Sequence, residues 1–413
     1  MPAKPHRRHS SPLGAAVLVS LAVIAAAGLL VAGCGQVIKV QTAHTTPSLL
    51  DRLAGRVRQV VDTDAARLRN ARTGAGAPGS LHGASTTFSN PLVNVWQNAL
   101  AARPGEAISY DNVNSRADVQ EILEGHAAFA VSEIPLTPDQ LQEGRIKLSQ
   151  VPVGAGSVCV IYNLPSLALP LKLTPQVLAG IYLGEITTWD DAQVQAANPN
   201  VALPGRDILT VHRKEAAGST YVFSHYLSAI SPQWAGLVPP SDDIARWPAE
   251  GRSGTGDNGV LAAVMHVRGG IGYTECGFAA AAHAPVASLV NASGAIVPPT
   301  VAAVTTALDY YSGAIQKDPL TPIVNAPAPG AYPIAGVIYL IFPSPEQNPG
   351  NPSLRLARWV LGPGQGLSPQ ADVAPLPLNL LQQQQRLLGL SPAPGLAISQ
   401  ADPGGATAPS RPR

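Results

Sequence analysis

The stretch Val211 to Leu227, VHRKEAAGSTYVFSHYL, constrains the fold more than any other part of the chain. A short apolar run carrying one arginine leads into a small-residue turn, and an amphipathic segment then opens on Gly218, Ser219 and Thr220. That is the pattern of a strand, a turn and a helix start. A helix start leaves backbone N–H groups without intrahelical partners and carries a partial positive charge, which makes it a seat for an oxyanion. Arg213, just before the turn, adds a permanent charge and a planar fork of donors suited to phosphate, carboxylate or sulfate. Taken alone, the stretch favours a plainer reading, with Ser219 and Thr220 capping a helix and Arg213 a solvated surface charge.

Two other stretches repeat the pattern. Ser80 to Leu92, SLHGASTTFSNPL, runs from a short strand through Gly83 to Thr86, Thr87 and Phe88 at the head of a helix containing Trp96. Tyr110 to Leu123, YDNVNSRADVQEIL, runs from a strand ending near Tyr110 to Ser115 at the head of another. Strands around 80–83, 107–110 and 127–132 alternate with helical stretches over 88–102, 115–124 and 137–143, which predicts βαβ units and a largely parallel sheet. Three hydroxyl-bearing helix starts would then converge at the carboxyl ends of strands in an open α/β sheet, where ligands of such folds sit.

These residues also match a family. GASTTF (Gly83 to Phe88), the serine of NVNSRADV (Ser115), FAVSEIPLT (Phe129 to Thr137), LAGIYLGEITTWDD (Leu178 to Asp191), VHRKEAAGST (Val211 to Thr220), GTGDNGVLAAV (Gly254 to Val264) and GGIGYTE (Gly269 to Glu275) fall in order and at fitting distances. Over residues 79–390 the chain resembles the periplasmic phosphate-binding proteins of bacterial ABC importers, the PstS type. The resemblance implies a two-lobed α/β periplasmic-binding-protein fold (type II-like), with mixed, largely parallel sheets, helices on both faces and a hinge between the lobes. Lobe 1 falls on 79–156 and 298–390, and lobe 2 on 157–297, with GAGSVCVIYN (Gly154 to Asn163) as a strand crossing between them. The helix at Pro299 to Tyr311, the apolar run Tyr332 to Pro343 and helices near 352–362 and 376–388 return the chain to lobe 1. The ligand implied is inorganic phosphate or a similar oxyanion and the partner an ABC permease in the membrane. The binder implied is a monomer with no cofactor, no metal and no enzymatic activity.

At neutral pH phosphate keeps at least one proton, whereas sulfate keeps none. A phosphate site therefore needs many donors and one carboxylate facing that proton, and the same carboxylate would repel sulfate at a cost on the order of a few kcal/mol. Carried over position by position, the family's donors fall on Thr87, the Phe88 backbone, Ser115, Arg213, Gly218 and Ser219. Its proton-accepting aspartate falls on Glu133, and the carboxylate that pairs with the arginine falls on Glu215. Four departures stand out. Glu133 is one methylene longer than aspartate, about 1.3 Å of extra reach in a site built to tight tolerance. Glu215 likewise replaces an aspartate, Ala217 removes a hydroxyl, and Arg116 with Ala117 replaces a glycine-rich turn. Arg116 turned inward would be an additional ligand and set two arginines against two glutamates; turned outward it is a solvated surface charge.

The ends of the chain read differently. Lys4, Arg7 and Arg8 precede an uncharged apolar run from Leu13 to Ala32 that ends in VAGC. This matches a lipoprotein signal peptide over 1–33 with lipid attached to Cys34, and places the protein on the extracytoplasmic side of the cell membrane by a lipid anchor. Removing Lys4, Arg7 and Arg8 from the 27 basic residues leaves 24 against 26 acidic, about −2. Residues 34–78 read as a membrane tether or spacer with an amphipathic helical piece over Thr46 to Arg72, and 391–413 as a disordered Pro/Ala/Gly/Ser tail. Gly74, Gly76 and Gly79 formally satisfy G-x-G-x-x-G, but Pro78 interrupts them and no strand precedes. Cys159 and Cys276 are a candidate disulfide in an extracytoplasmic setting, provided their Cα atoms come within about 7 Å.

With a net charge of +1 and no basic patch carrying interleaved aromatics, a nucleic-acid binder is disfavoured. No G-x-S-x-G, H-E-x-x-H, Walker loop or Cys/His cluster with metal spacing occurs, and His212 and His225 read as packing or surface residues. The reading is a lipid-anchored protein that captures phosphate between two lobes and delivers it to an ABC-type permease. A non-transporting sensor or surface lipoprotein with an altered or lost anion site is the alternative, and a phosphatase the third.

Overall fold

The computed structural model describes residues 80–390 except 144, 168 and 169. The signal peptide, Cys34, the spacer with its helical piece, the glycines at 74, 76 and 79, and the tail from 391 lie outside the described residues.

From the amino end, β1 (Leu81–Ser85), α1 (Asn90–Leu100), β2 (Ile108–Asn112), α2 (Ala117–Leu123), β3 (Phe129–Ser132) and α3 (Pro138–Gln142) lead into the long β4 (Leu148–Tyr162). A middle section follows with β5 (Lys172–Leu173), α4 (Pro175–Leu183), α5 (Ala192–Ala197), β6 (Leu209–Arg213), α6 (Gly218–Ile230), α7 (Pro232–Leu237), β7 (Gly251–Gly254) and α8 (Gly256–His266). It closes with β8 (Gly270–Glu275), α9 (Cys276–Ala281), β9 (Ser288–Val290) and β10 (Ile296–Val297). The last section holds α10 (Val301–Ile315), β11 (Ala335–Pro343), α11 (Pro352–Val360), a 3₁₀ stretch (Pro363–Ala371) and α12 (Leu378–Leu387).

The principal sheet has eight strands in the order β2-β1-β3-β11-β4-β8-β6-β7, and β10-β9-β5 form a small second sheet. β1 pairs parallel with β2 and β3, and β6 pairs parallel with β7 and β8. β11 runs antiparallel to β3 and β4, and β4 antiparallel to β8, so the sheet is mixed. This is the two-lobed α/β fold of periplasmic binding proteins. β4 is the strand shared by both halves: Leu148 to Ser157 pair with β11, and Val158 to Tyr162 with β8. Its sequence, like AGVIYLIFP in β11, is nearly continuous in apolar and small residues because both faces are covered.

The register locates the cleft. The carboxyl end of β3, Ser132, lies opposite Tyr339, which faces Pro152 of β4, whereas the carboxyl end of β8, Glu275, lies opposite Val158. Two sets of parallel strands therefore end facing one another across residues 153–157, roughly 17 Å of strand at about 3.3 Å per residue. Glycine is required along this seam. A Cβ on Gly156 would overlap the Phe88 ring, and one on Gly336 would overlap Val222 of α6.

Helices cover the sheet with regular apolar stripes. α1 buries Leu92, Val93, Trp96 and Leu100, and α6 buries Val222, Phe223, Tyr226 and Leu227. Phe223 stacks on Tyr273 of β8 at 4.4 Å between ring centroids, and Tyr182 meets Phe223 edge-on at 4.9 Å. Cys159 and Cys276 are joined by a disulfide with Cα atoms 4.9 Å apart, tying the start of α9 to β4. Among the described residues no helix is long and apolar enough to cross a membrane.

Candidate functional site

The expected strand–turn–helix starts are present, but their hydroxyls are used differently from simple caps. α6 begins at Gly218 with Ala217 as N-cap and no side-chain cap. Ser219 Oγ instead lies 3.3 Å from Arg213 Nη1, and Thr220 Oγ1 lies 2.7 Å from the Tyr273 hydroxyl. The Ala217 N–H donates to the Asp242 carbonyl at 2.9 Å. The N–H groups of Gly218, Ser219 and Thr220, all buried, have no hydrogen-bond partner among the described residues. This is an unspent set of donors at the positive end of a 13-residue helix. α2 starts later than expected, at Ala117, because Asn114 Oδ1 accepts from the Arg116 and Ala117 N–H groups. α1 likewise starts at Asn90, so Thr86, Thr87 and Phe88 form the loop between β1 and the helix.

Arg213 ends β6 and its side chain is only 3% exposed. Its Nε donates to Glu215 Oε1 at 2.7 Å and its Nη2 to the same oxygen at 2.5 Å. Its Nη1 reaches Ser219 Oγ at 3.3 Å, Thr87 Oγ1 at 3.4 Å and Asp257 Oδ2 at 3.3 Å. Burial pulls the guanidinium pKa down, but Asp257 and Glu215 more than offset it and leave it raised. Burial pushes the Glu215 carboxyl up while Arg213 and the Gly256 N–H pull harder, so it sits below the ordinary range. Asp257 is fixed from the far side by the Thr274 hydroxyl at 2.6 Å.

Opposite this group stands Glu133, the first residue after β3 and 1% exposed. Thr86 Oγ1 lies 2.8 and 2.7 Å from its two oxygens. A Cβ on Gly218 would overlap the Glu133 carboxylate, so the helix start and the glutamate abut. Burial, reinforced by Asp118, pushes Glu133 up to about 8 against the Thr86 hydrogen bond. Asp118 is itself buried, which raises it to about 6.

The structure thus gathers Thr87, Glu133, Arg213, Glu215, Gly218 and Ser219 into one connected group, with the buried Phe88 ring held against β4 at Gly156. Ser115 and Arg116 form a neighbouring group. Ser115 Oγ donates to Asp242 Oδ2 at 3.0 Å, and Arg116 lies 3.3 Å from the same oxygen and 3.2 Å from Oδ1. Arg116 also pairs with Asp243 at 3.4 Å, and its side chain is 60% exposed. Its charge is thus turned towards the 242–243 pair. Among the described residues no hydrogen bond joins Ser115 or Arg116 to Arg213, although the Asp242 carbonyl on Ala217 links the two groups. His212 stacks on Trp247 at 4.9 Å and His225 meets Tyr221 at 4.5 Å, both packing contacts.

Sequence reasoning overlooked Thr86, Asp242, Asp257 and Glu275. Glu275 ends β8 and Asp257 lies just past β7, as Glu133 lies just past β3 and Glu215 just past β6, so the same strand-end rule could have found them. Nothing in the loop around Asp242 signals its role. Among the described residues no group of three or more His, Cys, Asp and Glu could hold a metal ion. The arrangement offers one cation, several hydroxyls and helix-start N–H groups to an anion, and a carboxyl at Glu133 to a ligand's proton.

Residues 70–362 match a family model described as the PBP superfamily domain. The chain is 31% identical over 306 residues to a phosphate-binding protein PstS of Xylella fastidiosa, covering 73% of this chain and 83% of that protein. A phosphate-binding protein PstS of Haemophilus influenzae is 28% identical over 305 residues, covering 73% and 90%. Among solved structures, the fold is similar to that of PfluDING, a high affinity periplasmic phosphate-binding protein bound with phosphate. Identity there is 22%, the TM-score is 0.57, and 74% of this chain and 93% of that one are covered. A phosphate-bound putative substrate-binding protein from Clostridium perfringens is similar at 15% identity and a TM-score of 0.51, over 72% and 100% of the two chains.

Proposed function

The chain belongs to the PBP superfamily and, within it, with the PstS phosphate-binding proteins, and on that premise we propose that it captures inorganic phosphate in the cleft between its two sets of strand ends. The observation that carries the reading is the buried Arg213 between Ser219 and Thr87, beside three unspent helix-start N–H groups and facing the Glu133 carboxyl. Donors of this kind hold the oxyanion, and Glu133 takes the hydrogen bond from its proton. Phe88 contributes its backbone N–H. Ser115 joins the set when its hydroxyl exchanges Asp242 for a ligand oxygen, and Arg116 stays at the rim with Asp242 and Asp243. Glu215 and Asp257 hold the guanidinium in place rather than touching the ligand.

Binding involves no covalent step. Residues 79–156 with 298–390 form one lobe and 157–297 the other, closing about β4 and β11 by hinge motion. The protein hands phosphate to an ABC-type permease from a lipid anchor at Cys34 on the extracytoplasmic face. Phosphate uptake by cells lacking this protein tests the reading. The wild-type chain restores uptake and Arg213→Ala does not, while Cys34→Ala sheds the protein into the medium. Full uptake with Arg213→Ala would overturn the ligand assignment, and membrane retention of Cys34→Ala the anchor.

A further inference from the structure

Glu275 stands in the middle of the site and takes no part in the binding scheme above. It ends β8 opposite Val158 of β4 and is 7% exposed. One carboxyl oxygen, Oε1, is shut off from solvent and has no hydrogen-bond partner among the described residues. The Thr87 side chain lies near this carboxyl and favours its charged form, and Thr87 itself faces Arg213 Nη1 at 3.4 Å. The charged and titratable groups facing Glu275 are Asp257 from α8, Glu133 from the end of β3 and Arg213 from β6. A buried polar atom left unpaired costs stability unless something satisfies it.

Two further facts fix its chemistry. Burial first, then Asp257 and Glu133, push the Glu275 carboxyl well above the ordinary range, and Arg213 and Thr87 only partly oppose them. Burial of this kind favours the protonated carboxyl, which is a donor as well as an acceptor. The site also carries Ala217 at the turn before α6, where no side chain can donate.

We propose that Glu275 is a ligand-contacting residue that donates a hydrogen bond from its buried, unpartnered Oε1 to an oxygen of the bound phosphate, supplying the donor that Ala217 lacks. This rests on the phosphate reading of the cleft. The proton inventory closes without exchange: Glu275 keeps its proton, and the one between Glu133 and the ligand is shared. Because a neutral donor does not sense the ligand's proton, Glu275 strengthens phosphate and sulfate alike and leaves discrimination to Glu133. Once ionised, it would oppose any anion.

The test is equilibrium titration of the full-length protein, freed of bound phosphate, with inorganic phosphate between pH 7 and 10 for wild type, Glu275→Leu and Glu275→Gln. Losing one hydrogen bond to a charged ligand lowers affinity roughly ten- to a hundredfold, the loss expected for Glu275→Leu at pH 7. Glu275→Gln, whose amide N–H still donates, should lose only a few-fold. It should also lack the alkaline decline that wild type shows as Glu275 ionises. Glu133 ionises in both proteins, so the difference between their pH profiles isolates Glu275. Wild-type binding with Glu275→Leu within about threefold of it would overturn the proposal, as would identical alkaline declines in wild type and Glu275→Gln. Should Glu275→Leu fail to fold, the Glu275→Gln profile alone decides. Absence of phosphate binding by folded wild type would overturn the phosphate reading itself, and this inference with it.

Discussion

At Glu133 the carboxyl is wedged between the Thr86 hydroxyl and the start of α6, and two consequences follow. The folded protein holds this proton up to about pH 8, whereas an exposed glutamate releases it near 4.5. Between those values the folded state binds more protons than the unfolded one, so this contribution is complete below 4.5 and is lost as pH rises through about 8. Asp118, raised from 3.8 to about 6, adds a slope of the same sign at lower pH. Denaturant midpoints of the ligand-free protein should therefore fall from pH 5 to 8.5, and Glu133→Gln should flatten that fall; an unchanged slope in the variant would contradict the assignment. The second consequence is selectivity. In the proposed scheme ionised Glu133 accepts the proton of phosphate and repels sulfate, so discrimination should sharpen as pH rises through 8, and Glu133→Gln should bind sulfate with no such dependence. Gly218→Ala pushes a methyl group into the same carboxylate and should cost about 1–3 kcal/mol of stability and at least tenfold in affinity, read by melting and titration. The burial of Arg213 was not legible from its own stretch, which favours a solvated charge; only the family resemblance set it among the donors. Nor was the orientation of Arg116, since it depends on Asp242, more than a hundred residues away.

At the level of elements, the alternation of β1 to β3 with their helices was legible to within a few residues, since apolar runs and turn residues set it locally. The helix starts at Ala117 and Asn90 came later than the hydroxyl pattern suggested, because Asn114 and the β1 loop spend the first donors. The length of β4 was hidden in GAGSVCVIYN. Its amino half, from Leu148, lacks alternation because both of its faces are covered, and its partner β11 lies far along the chain. The disulfide between β4 and the start of α9 closes a loop of 117 residues. Cys159→Ala with Cys276→Ala should cost about 2–4 kcal/mol in denaturant unfolding. It should also weaken phosphate binding, because Cys276 directly follows Glu275. The Arg116–Asp242 pair is mostly exposed on the arginine side, so Arg116→Ala should change stability by less than about 1 kcal/mol and by less still at high salt.

For the whole molecule, the site exists because two sets of parallel strands end on opposite sides of one short stretch of β4 and β11. Each set alone supplies half of the proposed site: Thr87 and Glu133 from one, and Arg213, Ser219 and Glu275 from the other. Phosphate bridging the halves would stabilise the folded protein by mass action, about 2.7 kcal/mol at a hundredfold excess over Kd. The pairing of halves could be read only through the family resemblance, because no local pattern reports which strand ends meet across a sheet. The most direct test of the account is calorimetric titration of the full-length protein, freed of bound ligand, with phosphate and then sulfate at pH 8.5, where Glu133 is ionised. The account predicts micromolar or tighter binding of phosphate and no heat from sulfate. No heat from phosphate with folded protein, or equal binding of both anions, would contradict it.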